Sequence, residues 1–272
     1  MSFINTGNTC YLAAALQCLF SSNYFVSNAH KHLKKTDPFV NSFLQVFDKW
    51  LANEQNIDAT EFYEQLRLRY TLFDNRQEHD AHEALQVIID LLSTRCGRSL
   101  KSLYDTQCPK EARRQWFSKT INMMDETFRL QLAHHIRCTD CNHTMVWYQC
   151  EYGLFEQSIQ KEVLLEGYTC DRCNVIDKCL HTVQIQHAPP CLVLKSTICN
   201  HNNLQIGAYK YRLVAVCKHY KIGQEKGHYA AIVKNHHDGT WYIKDDGKVE
   251  LFKGVGDPRV LCDNGCFFVF EI

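Results

Sequence analysis

The chain has 272 residues, 45% of them hydrophobic, with 30 Lys and Arg balanced by 30 Asp and Glu. That length buries a real core in one large domain or two small ones, and the neutral balance argues against disorder and against an electrostatic attraction to nucleic acid. No apolar run approaches the ~20 residues that cross a bilayer, so no membrane span is expected.

The first segment is Asn5-Thr-Gly-Asn-Thr-Cys10-Tyr-Leu. Gly7 and Asn8 supply turn chemistry, and Thr9 is placed to cap a helix that carries Leu12, Leu16, Leu19 and Phe20 on one face. Cys10 then falls in the first helical turn, where free backbone N–H groups and the macrodipole favour an anion. A thiol there is expected to ionise more readily than a free one and to serve as a nucleophile. A buried core cysteine is the plainer alternative.

Asp37-Pro38 predicts a helix start, with Phe39, Phe43, Val46, Phe47, Trp50 and Leu51 on the buried side. Asp58 with Glu61 and Asp80 with Glu83 read as capping boxes, the second ahead of Ala84, Leu85, Ile88 and Leu92. His82 reads as a helix-face residue that supports the cysteine helix.

From about residue 110 the pattern turns to short strands. Cys138-Thr-Asp-Cys141 and Cys170-Asp-Arg-Cys173 form two knuckles suited to one tetrahedral Cys₄ zinc site with a structural role. His134, His135, His143, Cys150 and Cys179 are nearby spare ligands, and four buried free thiols are the alternative. Fifteen cysteines could also signal a secreted disulfide framework. The first motif starts almost at Met1, leaving no room for a leader, and the spacings are paired, so reduced thiols in the cytoplasm or nucleus are expected.

His181 to His187 alternates as a strand, Pro189-Pro190 turns the chain into Cys191 to Leu194, and Tyr209 to Cys217 and Cys266 to Ile272 add further strands. Lys218 to Lys226 reads as a loop given freedom by Gly223 and Gly227. Tyr229 to Val233 and Thr240 to Lys244 form a hairpin around Asp238-Gly239, which sets His228 and Asp245 at the same edge. Cys10, His228 and Asp245 together follow the triad logic of papain-like hydrolases: nucleophile, base and orienting acid.

Gly7-Asn-Thr-Cys10-Tyr11, Glu78-His-Asp80-Ala-His82-Glu83-Ala-Leu85, and Gly227-His228-Tyr229 with Trp241 and Asp245-Asp246 resemble, in order, the motifs of the ubiquitin-specific proteases. The resemblance implies an α+β papain-like fold, with a helical thumb over 1–105, fingers and adjoining palm over 106–190, and an antiparallel-sheet palm over 191–272, all within one catalytic domain, 1–272. It implies thiol-dependent hydrolysis of isopeptide bonds at the ubiquitin C-terminus. Cys10 matches the nucleophile, His228 the general base, Asp245 the orienting acid with Asp246 sharing or replacing it, and Asn5 the oxyanion donor. Asp80, Glu78, Gly227 and Tyr229 match substrate-contacting positions, and residues 218–226 match a mobile blocking loop. The implied partners are ubiquitin and ubiquitinated proteins, bound by a monomer with one structural zinc on Cys138, Cys141, Cys170 and Cys173 and no catalytic cofactor. A protease for another ubiquitin-like modifier, a silent ubiquitin-binding module and a zinc-stabilised adaptor are the alternatives. The chain departs from the family pattern at Leu12-Ala13-Ala14, at Glu78 where a glutamine is usual, and at Lys195-Ser196.

Overall fold

The computed structural model describes residues 1–34, 37–75, 77–95, 106–116, 122–155, 161–196, 203–222, 226–236, 238–254, 260–261 and 263–272. Seven α-helices are described: α1 (Cys10–Phe20), α2 (Asn23–His32), α3 (Pro38–Leu51), α4 (Thr60–Arg67), α5 (Ala81–Arg95), α6 (Pro109–Trp116) and α7 (Met123–Phe128). The strands are β1 (Leu130–Cys138), β2 (Thr144–Glu151), β3 (Leu154–Phe155), β4 (Val163–Leu164), β5 (Cys179–His187), β6 (Cys191–Lys195), β7 (Asn203–Ile206), β8 (Tyr209–Ile222), β9 (Lys226–Lys234), β10 (Trp241–Asp245), β11 (Lys248–Leu251) and β12 (Gly265–Glu271). Among the described residues no helix is long and apolar enough to cross a membrane.

Every residue of α1 is buried. The helix lies between α5 on one side and β8 and β9 on the other, and a helix covered all round must be apolar all round. Ala13, Ala14 and Ala15 have short side chains that let both neighbours approach closely, which suits the departure from the family pattern at Ala13 and Ala14. Around it the aromatic side of α3 interlocks with its neighbours. Phe20 meets Phe43, Phe47 and Trp50 at ring-centroid distances of 5.2 to 5.8 Å, and Phe25 of α2 closes the cluster. Asp37 caps α3 by accepting from the Phe39 and Val40 N–H groups, with Pro38 in the first turn. Leu51 differs from expectation and is exposed, because the buried stripe has rotated past it at the last turn.

Two sheets follow. The larger has the order β11-β10-β9-β8-β12-β6-β3, with β7 also paired to β8; the smaller has the order β2-β1-β5-β4. All pairings are antiparallel except β3 with β6. The smaller sheet carries both cysteine knuckles at its far end, where Cys138 pairs with Cys179.

Several expectations are corrected. Thr9 precedes α1 but its side chain does not cap it. Its hydroxyl instead accepts from the Thr6 N–H and donates to Asn5 Oδ1, so it braces the preceding turn. Asp58 forms a short turn to the Thr60 N–H, and Ala59 takes the cap position of α4, so no box forms with Glu61. The change to strands comes at Leu130, after α6 and α7, and not near residue 110. Most of the 218–226 segment is strand, with β8 and β9 paired as far as Ile222 and Lys226. Backbone pairing along this hairpin outweighs the turn propensity of its glycines. Gly223 lies outside the described residues.

Candidate active site

Gly7 and Asn8 turn the chain into α1 through left-handed backbone conformations, φ 103° and 50°. Asn5 holds this turn: its Oδ1 accepts from the N–H groups of Gly7 and Thr9 and from the Thr9 hydroxyl. Because Oδ1 is fixed by donors, Nδ2 must face the other way, where it donates to Asp246 Oδ2 at 3.0 Å. Asp246 is itself left-handed, φ 48°, in the tight turn from β10 to β11.

Cys10 is 4% exposed. Its sulfur faces the backbone N–H of Tyr229, the residue that follows His228 on β9, and the N–H of Tyr11. These donors favour a thiolate. Burial opposes it more strongly, helped by the carboxylates of Asp246 and Glu78, and the thiol is pushed above its ordinary value. The expectation of a thiol that ionises unaided from the helix terminus is therefore overturned: desolvation outweighs the dipole. Ionisation then depends on a base, and β9 brings one alongside. His228 Nε2 meets Asp245 Oδ1 at 2.6 Å. The Asp245 contact occupies Nε2 and leaves Nδ1 as the imidazole atom available to the thiol.

The proposed substrate-side residues surround this centre. Asp80 caps α5 by accepting from the His82 and Glu83 N–H groups, and its second oxygen accepts from Lys195 Nζ at 2.9 Å. Burial pushes its carboxyl up, but the Lys195 bond and these N–H groups together hold it below the usual range. Glu78 Oε2 accepts from the Gly227 N–H at 2.9 Å, tying the segment before α5 to the start of β9. A Cβ at Gly227 would stand 2.1 Å from His219 Nε2, so only glycine fits beneath that ring. His219 in turn stacks on Tyr229 with centroids 4.3 Å apart. Sequence reasoning missed Lys195 and His219 as parts of this surround; each acts through a residue remote in the chain, and no local pattern marks it.

His82 is 1% exposed, packed against Phe155 and Phe267. Its Nε2 has no hydrogen-bond partner among the described residues, and burial lowers its pKa from 6.5 to about 4. Between those values the unfolded chain binds a proton that the native state refuses, so stability falls as pH drops through this window. The contribution is about 2 kcal/mol lost at pH 5 relative to pH 7. His82→Phe keeps the ring and removes the proton site, so urea melts at the two pH values should differ less for this variant by that amount.

At the far end of the smaller sheet the four knuckle thiols converge, with their sulfurs all within 4.8 Å of one another. Cys138 and Cys173 are 3.7 Å apart, as are Cys141 and Cys170. A tetrahedron with metal–sulfur bonds of ~2.3 Å has edges of ~3.8 Å, so the spacing fits zinc. Each knuckle is closed the same way: Asn142 and Asn174 are left-handed, and their N–H groups bond back to the carbonyls of Cys138 and Cys170. The spare candidates stand outside this group. Cys179 adjoins it, while His134 packs with Trp147 and His181 in one group of three rings along the sheet.

A buried thiol at the start of a central helix, held against the backbone N–H one residue after a histidine that pairs with a carboxylate on an antiparallel sheet, fits the papain-like class of thiol hydrolase folds. The ubiquitin carboxyl-terminal hydrolase family model matches residues 1–257, and the chain belongs to that family. It is similar to ubiquitin carboxyl-terminal hydrolase Usp2 of Drosophila melanogaster, 22% identical over 302 residues covering 90% of this chain and 32% of that protein. It is also similar to ubiquitin carboxyl-terminal hydrolase 25 of Arabidopsis thaliana, 25% identical over 300 residues covering 91% of this chain and 44% of the relative. The chain thus spans less than half the length of these relatives. Among solved structures, the SAGA Ubp8/Sgf11/Sus1/Sgf73 DUB module bound to ubiquitin aldehyde shares its fold, with a TM-score of 0.71 and 20% identity over 100% of this chain and 69% of the other.

Proposed function

We propose that this chain hydrolyses isopeptide bonds at the carboxyl terminus of ubiquitin, with Cys10 as nucleophile. The observation that carries the reading is the Cys10 thiol held against the Tyr229 N–H, one residue from the His228–Asp245 pair. In this reading His228 Nδ1 takes the thiol proton, while Asp245 holds the ring and stabilises the imidazolium. The thiolate adds to the carbonyl carbon of the ubiquitin C-terminal residue. Collapse expels the lysine amine, which takes the proton from His228, and leaves a thioester on Cys10. Water then attacks this thioester with His228 again as base, releasing the ubiquitin carboxylate and the thiol.

Asn5 stabilises the oxyanion. One of its two amide hydrogens is held by Asp246 Oδ2, which aims the group and leaves the second for the substrate. Removing one such donor typically costs about 10²–10³ in turnover. Asn5→Ala is expected to lose that much in kcat with little change in KM, measured on ubiquitin bearing a C-terminal fluorogenic amide. Wild-type turnover by this variant would remove Asn5 from the mechanism.

Ubiquitin as the substrate is supported by family membership and by the ubiquitin-bound state of the Ubp8 module. Residues Asp80, Glu78, Gly227 and Tyr229 line the approach of its tail, and the smaller sheet, braced by one zinc on the four knuckle thiols, grips its body. Incubation with ubiquitin carrying a C-terminal electrophile tests the proposal. A covalent adduct of wild type and none of Cys10→Ala is the expected result. Failure of wild type to react would overturn it, and reaction only with another modifier would transfer the activity to that substrate.

A further inference from the structure

Away from Cys10, the second half of α1, the start of α2, the end of α3 and strands β9 to β11 enclose a cavity of about 390 Å³, a size typical of small-molecule sites. Its walls are largely apolar and include Phe20, Val26, Trp50 and Tyr242. Its wall includes the buried polar side chains of Lys244, 7% exposed, Gln17, 3% exposed, and Ser21, whose hydroxyl donates to the Cys18 carbonyl. Lys244 Nζ donates to Gln17 Oε1 at 3.0 Å, contacts Met1 Sδ and lies 5.9 Å from the Trp50 ring centroid. An ammonium only donates, so it fixes the Gln17 amide with Oε1 toward itself. Gln17 Nε2, a pair of donors, is thereby left with no acceptor.

No Asp or Glu is among the described residues that line this cavity, whereas Lys234 adds a second cation. Nor does any described carboxylate form an ion pair with Lys244. A buried ammonium without a counter-ion and a buried amide without an acceptor are each costly. Here the two costs meet at the wall of one cavity. Burial lowers the Lys244 pKa to about 8, so the amine remains largely protonated at neutral pH.

We propose that this cavity binds a small organic carboxylate with an apolar body. The carboxylate accepts from Lys244 Nζ and Gln17 Nε2, and the body lies against Phe20, Val26 and Trp50. An aliphatic or aromatic acid meets both halves of this requirement, whereas a bare inorganic anion leaves the apolar walls unfilled. The inference is independent of the hydrolase reading, since it rests on none of Cys10, His228 and Asp245.

The test is titration of the full chain with octanoate, followed by calorimetry and by indole fluorescence, with octan-1-ol as the neutral comparison. Saturable binding of octanoate, about tenfold tighter than the alcohol, is expected. Lys244→Met should weaken octanoate by about tenfold or more while leaving the alcohol unchanged, and Gln17→Leu should weaken octanoate less. Should Lys244→Met fail to fold, Val26→Trp fills the cavity and should abolish binding of both compounds. Absence of saturable binding, equal affinity for acid and alcohol, or octanoate binding unchanged in the folded variants would each overturn the proposal.

Discussion

His228→Ala is expected to lower turnover of ubiquitin conjugates by 10³-fold or more while leaving the fold and ubiquitin binding intact. Cys10 is the reason for so large an effect. Its thiol is buried, and desolvation with the nearby Asp246 and Glu78 carboxylates pushes its pKa above the ordinary value of 9.0. Without a base, little of it is thiolate at neutral pH, and the leaving amine also loses its proton donor. General acid–base catalysis alone is typically worth 10²–10⁴. The residual activity of the variant should rise with pH through the alkaline range as the thiol ionises unaided. Single-turnover rates across pH, set beside binding of ubiquitin, check both points. A variant that retains near-normal rates at neutral pH would mean that Cys10 ionises without His228. Asp245→Asn and Asp246→Asn separate the two acids, since the first contacts the imidazole and the second holds Asn5.

Stripping the zinc proposed for the four knuckle thiols is expected to have the second large effect, on binding and not on the thiol. Structural zinc in small domains contributes about 10–16 kcal/mol of apparent binding energy. The cluster around Cys138, Cys170 and Cys179 buries little else: among the described residues Ile136 is its only non-cysteine buried member, with Met145, Trp147, Leu165 and Tyr168 packed partly against it. The end of the smaller sheet therefore lacks an apolar core large enough to replace the metal. Elemental analysis should find about one zinc per chain. Chelation, or the double change Cys141→Ser and Cys173→Ser, should raise KM for ubiquitin substrates by more than about tenfold. Alkylation of Cys10 by iodoacetamide should be unaffected, because the thiol lies in the other core cluster. A metal-free chain with unchanged ubiquitin affinity would show that the four thiols are merely neighbours.

How far the chain could be read in advance depended on the range of each signal. Asp37-Pro38 and Asp80 announce helix starts because a cap is made within one turn, and both side chains accept the backbone N–H groups expected of them. The knuckles were legible for the same reason, two thiols per tight turn. Reading failed where other contacts overrode a residue's usual preference. Thr9 is a good cap by type, yet Asn5 and Thr6 claim its hydroxyl. Gly223 and Gly227 suggest a loop over 218–226, yet pairing of 218–222 with the 226–230 stretch makes that part strand. Helices α6 and α7 span only eight and six residues, too few turns for a helical repeat to stand out in the sequence.

The sequence alone therefore determined the chemistry on offer: a thiol after a glycine-asparagine turn, a histidine and paired acids on a hairpin, and four cysteines spaced for a metal. These are matters of residue type and spacing over a few positions. Only the tertiary structure decided how that chemistry is tuned. It buried Cys10 so that its thiol is harder to ionise, joined Asn5 to Asp246 and Glu78 to Gly227, and set the bonded pair Lys244 and Gln17 in the wall of a largely apolar cavity. Each of these depends on desolvation and on partners from distant parts of the chain, and neither is written into any local run of residues.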